Sequence, residues 1–93
     1  MNDRTGQVAV VTGASLGVGL AATAALAQRG LNVIAAARDL QRLETAVASL
    51  VPEIRHRVKG VACDVREEPQ VKAAVDAAIE YFGRLDIVVN SAG

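Results

Sequence analysis

The sequence predicts an α/β fold in which four parallel strands alternate with three helices, in the order βαβαβαβ. Short runs of consecutive apolar residues, such as 8–11 and 33–37, are typical of strands buried on both faces. Longer Ala- and Leu-rich segments with helical spacing separate these runs. Because right-handed crossovers join parallel strands, the expected strand order is 3-2-1-4. The first two helices should then cover one face of the sheet and the third helix the other.

The first strand is expected over residues 7–12, and a glycine-rich turn follows over 13–19. A helix from about residue 18 to 29 has no breaker, and Gly30 is expected to end it. Residues 31–37 form the second buried strand.

A second helix follows, with Asp39 as its N-cap and Pro52 closing it. Its apolar stripe is expected to contain Leu40, Leu43, Val47 and Leu50.

The last third of the chain adds one helix between two strands. Residues 57–63 predict a weaker third strand, 67–82 a third helix that Gly83 ends, and 85–90 the fourth strand. The inward face of this helix is expected to be Val71, Val75, Ala78, Ile79 and Phe82.

Length, charge and cysteine content exclude several classes of protein. The chain has 93 residues, which suits one small domain, and its 52 % hydrophobic content excludes intrinsic disorder. Ten basic and ten acidic residues give no net charge, so no nucleic-acid or membrane partner is expected. No apolar run approaches the ~18 residues that span a bilayer, and residues 1–7 lack the apolar region of a secretory signal. The single cysteine, Cys63, favours a reducing cytoplasm, and Cys63 with His56 is too small a set for a zinc site.

The turn after the first strand carries the strongest indication of function. It reads Thr12-Gly13-Ala14-Ser15-Leu16-Gly17-Val18-Gly19. The free N–H groups and the positive dipole end of the following helix favour a phosphate above such a turn. No Lys-Ser/Thr pair follows the last glycine, which excludes a P-loop. The context predicts a dinucleotide site in a partial Rossmann fold. The alternative is that the glycines only allow close helix–strand packing.

The residue after the second strand indicates the type of dinucleotide. An acidic residue there would bind a ribose 2′-hydroxyl, whereas an arginine accommodates a 2′-phosphate. This chain has Arg38 at that position, and Asp39 is better used as the helix cap. Arg38 therefore predicts NADP(H) in preference to NAD(H), the alternative being a solvated arginine.

Three motifs together resemble those of the short-chain dehydrogenase/reductase family. They are Thr12-Gly-x-x-x-Gly17-x-Gly19, then Asp64-Val65 after the third strand, then Asn90-Ser91-Ala92-Gly93 after the fourth. The resemblance covers the whole chain. It implies an oxidoreductase that transfers hydride between a nicotinamide cofactor and a carbonyl or alcohol substrate.

The resemblance also implies roles for the residues of the first motif. Gly13, Gly17 and Gly19 would line the adenosine and pyrophosphate side of the cofactor, with the Val18 backbone near the pyrophosphate. The Ser15 hydroxyl would contact the adenosine ribose or its 2′-phosphate.

The two later motifs are expected to hold the adenine and the ribose. Asp64 would accept a hydrogen bond from the adenine amino group, and the Val65 amide would meet a ring nitrogen. Asn90, with Ala92 and Gly93, would lie beside the ribose and brace the first turn through Thr12.

Two positions depart from the family pattern. Leu16 stands where a small or basic residue is frequent, so Arg38 alone would meet the 2′-phosphate. Ser91 stands where a second asparagine is commoner. Neither change removes a backbone contact, and little effect on binding is expected.

The family's catalytic residues are missing from this sequence. The family uses a tyrosine as general acid, with a lysine four residues later and an upstream serine. The sole tyrosine is Tyr81, and Leu85 stands four residues on, so no catalytic residue is assigned. Residues 1–93 are therefore interpreted as the truncated N-terminal half of an NAD(P)-binding Rossmann domain, inactive alone. Its full-length form is expected to be a homo-oligomer.

Two other interpretations remain open. The chain could be a stand-alone dinucleotide-binding or interaction module without redox activity. A nucleotide-binding enzyme of another class, such as a methyltransferase, is disfavoured because such enzymes lack the motif over residues 90–93.

Overall fold

The computed structural model describes residues 6–15, 17–63 and 68–91. The strands are β1 (Val8–Thr12), β2 (Asn32–Ala37), β3 (Val58–Ala62) and β4 (Ile87–Asn90). The helices are α1 (Gly17–Gln28), α2 (Leu40–Ala48), α3 (Pro52–Arg55) and α4 (Glu68–Phe82). The strands form one sheet in the order β3-β2-β1-β4, and every pairing is parallel. The predicted fold class and strand order are confirmed.

The register of the sheet brings the carboxyl ends of three strands together. Thr12, at the end of β1, pairs with Ala36 of β2 on one side and with Asn90 of β4 on the other. The segments that follow these strands therefore emerge at one edge, where ligands bind in open parallel sheets.

The helices divide unequally between the two faces of the sheet. One core cluster includes Ala27 of α1, Leu43 of α2 and Ile54 of α3. Of the described helices, α4 covers the opposite face, where Ala74 and Ala78 are its buried residues. The first two predicted helices, α1 and α2, thus share one face with the short α3, and α4 covers the other face, as the crossover rule requires.

Glycine ends α1 and α4 as predicted. Gly30 has a φ of +95°, and its N–H donates to the carbonyl oxygen of Ala27, while the Leu31 N–H donates to Leu26. This pair of bonds is a Schellman motif. Gly83 has a φ of +81°, and its N–H donates to Ile79.

The predicted second helix is in fact two helices. Asp39 caps α2 as expected, because its carboxylate accepts a hydrogen bond from the Arg42 N–H at 3.1 Å. However, α2 ends at Ala48, and Pro52 opens α3 rather than closing α2. Proline suits the first position of a helix, where its fixed φ is helical and no N–H is required. A four-residue helix is too short to show a periodic apolar pattern.

Two residues predicted to face the core are exposed instead. Leu40 is 40 % exposed because it opens α2 beyond the end of β2, whereas Leu43 and Leu50 are buried. Ile79 is 50 % exposed, because the small side chains of Ala74 and Ala78 form the contact with the sheet. At 3.6 residues per turn, Ile79 lies about 100° around the helix from Ala78.

The remaining predicted core positions are partly buried. Val47, Val75 and Phe82 are half-buried. The side chain of Val71 lies outside the described residues. Among the helices of the described segments, none combines the length and the hydrophobicity needed to cross a membrane.

Candidate functional site

The candidate site lies at the carboxyl edge of the sheet, where the glycine turn joins β1 to α1. Gly13 has a φ of +66° and Gly17 a φ of +53°. Residues that carry a side chain rarely adopt this left-handed backbone conformation, which explains why glycine is needed at two of the three positions. The turn is thus built in the conformation that the sequence predicted.

The turn is open to solvent at Gly17, the first residue of α1. A Cβ atom built on Gly17 would meet nothing within 4 Å, and both Gly17 and Val18 are exposed. No acidic residue occupies the first turn of this twelve-residue helix. Free N–H groups, the helix dipole and open space together fit a phosphate group.

The third glycine of the motif has a different role. Gly19 is buried, and a Cβ there would overlap the carbonyl oxygen of Gly13 and lie 2.5 Å from Ser91 Oγ. Packing of α1 against the turn therefore excludes a side chain at Gly19. This agrees with close helix–strand packing, the general role of a third glycine in such turns.

The ends of β2 and β4 hold the turn from both sides. The Thr12 hydroxyl donates to Asn90 Oδ1 at 2.9 Å, which confirms that Asn90 braces the turn through Thr12. Ser91 Oγ donates to the carbonyl oxygen of Thr12. On the other side, the Ala14 N–H donates to the Ala36 carbonyl oxygen at 3.1 Å. The contact made by Ser91 was not predicted, because the family resemblance gave a partner for Asn90 but none for Ser91, and residues 79 positions apart share no local pattern.

The other predicted binding residues lie around this edge or outside the described residues. Ser15 is half-buried within the turn, and Arg38 is exposed directly after β2. Cys63, which is not one of the predicted binding residues, is buried directly after β3, and its N–H donates to the Ala37 carbonyl oxygen. The predicted site residues outside the described residues are Leu16, Asp64, Val65, Ala92 and Gly93.

Tyr81 belongs to a different part of the molecule. It is exposed near the end of α4, and the Lys59 ammonium lies 4.9 Å from the centre of its ring. This is a cation–π contact between α4 and β3. The pair links a helix to an edge strand and does not involve the glycine turn.

Electrostatic interactions shift pKa values at the opposite, amino edge of the sheet. Asp86 Oδ2 accepts hydrogen bonds from the Arg84 Nε at 2.9 Å and the Val8 N–H at 2.8 Å, and its Oδ1 lies 2.7 Å from the Arg84 guanidinium. The bonds from Arg84 and Val8 lower the pKa of the Asp86 carboxyl. The hydrogen bond to Asp86 and the charge of its carboxylate raise the pKa of Arg84. No local sequence pattern predicts this cluster, because Val8 and Asp86 are 78 positions apart. Elsewhere in the described segments, no group of three His, Cys, Asp or Glu side chains could hold a metal ion.

Comparison with known proteins finds similarity over almost the whole chain. A family model described as short chain dehydrogenase matches residues 7–93. A farnesol dehydrogenase of Aedes aegypti is 40 % identical over 93 residues, which are 100 % of this chain and 38 % of that protein.

Two solved structures show the same fold with a cofactor bound. The L-sorbose reductase of Gluconobacter frateurii, complexed with NADPH and L-sorbose, is 40 % identical, with a TM-score of 0.88 over 100 % of this chain and 36 % of that one. The 3-ketoacyl-(acyl-carrier-protein) reductase of Brucella melitensis, complexed with NADH, is 36 % identical, with a TM-score of 0.79 over 90 % of this chain and 33 % of that one. The chain thus spans about a third of the length of the proteins that it matches.

Proposed function

The chain belongs to the short-chain dehydrogenase/reductase family, and we propose that it is the NADP(H)-binding part of an oxidoreductase of that family. The reaction would transfer hydride between the nicotinamide and a carbonyl or alcohol substrate. The conformation of the glycine turn carries this proposal, because Gly13 and Gly17 adopt positive φ beneath an open helix N-terminus.

The N–H groups at the start of α1 are proposed to bind the pyrophosphate. Gly17 leaves room for the phosphate to approach the backbone, and the Val18 N–H follows within the first turn. The Ser15 hydroxyl, in the same turn, would contact the adenosine ribose or its phosphate. Hydrogen bonds of Thr12 with Asn90 and of Ala14 with Ala36 support this arrangement, because they hold the backbone of the turn in place without a ligand.

Arg38 is proposed to select NADP(H) by pairing with the 2′-phosphate of the adenosine ribose. It is exposed at the same edge as the turn, directly after β2. The carboxylate of Asp39 accepts the N–H of Arg42 as a helix cap, which supports the interpretation that Arg38 makes the cofactor contact. Similar proteins include complexes with NADPH and with NADH, so the preference requires a direct measurement.

Asp64 and Val65 are proposed to hold the adenine, and Ala92 and Gly93 the ribose side. The bound nicotinamide would supply or accept the hydride. No Tyr-x-x-x-Lys sequence occurs in this chain, so the proton donor for the substrate oxygen is proposed to come from further chain of a full-length, oligomeric enzyme. The single, buried Cys63 supports a cytoplasmic location.

A titration of the full-length protein with NADPH and with NADH tests the proposed function. We expect NADPH to bind more tightly. The variant Arg38→Ala should lose about ten- to fiftyfold in NADPH affinity, because a charge-assisted contact to phosphate is removed. Its affinity for NADH should stay close to that of the wild type.

The matched control is Arg29→Ala, because Arg29 is also exposed but follows the carboxyl end of α1, at the end away from the glycine turn. It should leave both affinities unchanged. Equal binding of the two cofactors by the wild type would refute the NADP(H) preference. Failure to bind either would refute the proposed function itself.

The alternative function is a stand-alone dinucleotide-binding module without redox activity. The position of Tyr81 on α4, in contact with Lys59 of β3, agrees with this alternative as well, because the tyrosine lies away from the glycine turn. A turnover assay on the full-length protein separates the two, since NADPH binding without hydride transfer to any carbonyl compound would favour the module.

A further inference from the structure

The strand β3 lies at the edge of the sheet opposite β4. Within the described residues it pairs on one side alone, with β2. The Arg57 carbonyl oxygen accepts the Val33 N–H just before β3, and the Cys63 N–H donates to Ala37 just after it. Because backbone groups alternate in direction along a strand, every second residue between these two points its N–H and C=O away from β2. The outward groups are those of Val58, Gly60 and Ala62.

The single charged side chain of this strand is that of Lys59. Lys59 is aligned with the fully buried Ile34 of β2, so it belongs to the face of the sheet that α4 covers. Its own side chain is exposed. The other residues of β3 are valine, glycine and alanine, whose side chains do not oppose pairing with another strand.

The ring of Tyr81 determines where this charge lies. The Lys59 ammonium is 4.9 Å from the centre of the ring, and Tyr81 belongs to α4. A free lysine side chain would sample many rotamers, whereas the cation–π contact favours the one that lies between the helix and the edge strand. The charge is thus held beside the backbone groups that another strand would use.

A second copy of this chain would meet that charge if the two β3 strands paired. Copies related by a two-fold axis would pair antiparallel, with both Lys59 side chains on the same face of the joined sheet. Pairing centred on Gly60, the middle of the strand, would make the two lysines diagonal neighbours about 7–8 Å apart. Pairing centred on Lys59 would place them directly opposite each other. Either arrangement brings like charges together and removes water from them.

We propose that Lys59, held over the ring of Tyr81, keeps β3 from pairing with the β3 strand of a second copy. Lysine and charges directed toward the covered face are general means of protecting a sheet edge. The residues of β4, in contrast, carry no charge. This difference agrees with a longer chain that covers β4 and leaves β3 as the permanent edge. The inference does not depend on cofactor binding.

Sedimentation velocity and amide hydrogen exchange on the full-length protein test this proposal. Lys59→Met removes the charge but keeps an unbranched side chain of similar length. We expect it to strengthen association beyond the oligomer of the wild type about fivefold, because the repulsion between the two lysines is lost. As the protein concentration rises, exchange should slow at the outward amides of Val58, Gly60 and Ala62 and stay unchanged in β4.

Three further variants separate the charge from the ring contact and from net charge. Lys59→Glu loses the cation–π contact but keeps like charges at the edge, so it should associate no more than the wild type. Tyr81→Leu should associate to an intermediate degree, because the lysine is retained but no longer held. Lys72→Met is the matched control, since it changes the net charge equally but removes a lysine that pairs with Asp76 on α4. It should behave as the wild type.

The proposal is overturned if Lys59→Met keeps the oligomeric state of the wild type, or if its association slows exchange in β4 instead of β3. Equal association of Lys72→Met would also overturn it, because net charge would then explain the effect. If Lys59→Met does not fold, Lys59→Gln provides a second neutral variant for the same comparison. A protein that binds no nicotinamide dinucleotide would contradict the proposed function and leave this test unaffected.

Discussion

At the scale of single residues, the three glycines of the turn have different structural roles. Gly13 and Gly17 are required by their positive φ, whereas Gly19 is required by its contact with the Gly13 carbonyl and Ser91. Gly17 faces open space, but Gly19 is buried. Alanine in place of Gly17 should therefore weaken NADPH binding more than it lowers stability. Alanine in place of Gly19 should mainly lower stability.

The variants Gly17→Ala and Gly19→Ala serve as controls for each other. We expect Gly17→Ala to lower the free energy of unfolding by only about 1–2 kcal/mol, the penalty for a side chain at positive φ. It should nevertheless abolish most NADPH binding, because its methyl group enters the space proposed for the phosphate. Gly19→Ala should lower stability by about 3 kcal/mol or more, through overpacking. Urea unfolding and NADPH titration measure both effects, and equal stability losses would contradict the assigned roles.

At the scale of elements, β1 and β4 are joined at both ends. Their carboxyl ends are linked through Thr12 and Asn90, and their amino ends through Val8 and Asp86. Asp86 accepts the Val8 N–H with its side chain and donates its own N–H to the Val8 carbonyl oxygen. Arg84 holds the carboxylate in place for this role. The pairing of β1 with β4 is therefore supported at its amino end by the Asp86 carboxylate.

This carboxylate should make the stability of the fold depend on acid pH. The pKa of Asp86 is lower in the folded chain than its ordinary value of 3.8, so its ionised form favours folding. This contribution is fully present above pH 3.8, and it is lost progressively as the pH falls through the folded pKa. Asp86→Asn should be less stable than the wild type at neutral pH and should lose less stability as the pH falls from about 4 to about 2.

Urea unfolding as a function of pH measures this dependence. Asp76→Asn is a suitable control, because Asp76 pairs with Lys72 on the exposed surface of α4. It should keep the pH dependence of the wild type. A wild-type stability that does not change on acidification, or a variant that follows the same curve, would contradict the role of Asp86.

At the scale of the whole molecule, the two faces of the sheet are unequally covered. In the described part of the chain, three helices pack on one face and α4 alone on the other. On the sheet face that α4 covers, Val88 of β4 is 57 % exposed, and Ile79 of α4 itself is 50 % exposed. Within the described residues, β4 pairs on one side alone, with β1. This open apolar edge supports the proposal that further chain completes the sheet.

The 93-residue chain by itself should consequently self-associate. We expect sedimentation velocity to show association that grows with concentration in the micromolar range, because an apolar edge strand pairs readily with other chains. Val88→Lys should reduce this association. Val51→Lys is the control, since Val51 is similarly exposed, at 51 %, but precedes α3. A chain that stays monomeric at all concentrations would favour the stand-alone module.

Local sequence patterns determined most of the architecture. The alternation of strands and helices, the Asp39 cap and the terminating glycines follow from residues within a few positions of each other. The order of the strands then follows from the rule that crossovers between parallel strands are right-handed. The glycine turn could be predicted for the same reason, because positive φ is a property of one residue and its immediate neighbours.

Only the tertiary structure decided the contacts between distant residues. The opening of α3 by Pro52, and the exposure of Ile79 beside the buried Ala78, depend on how each helix meets the sheet. The contacts of Ser91 with Thr12 and of Asp86 with Val8 join residues 79 and 78 positions apart. Such pairs leave no periodic signal in a single sequence, because the sheet order, rather than the local pattern, brings the ends of β1 and β4 side by side.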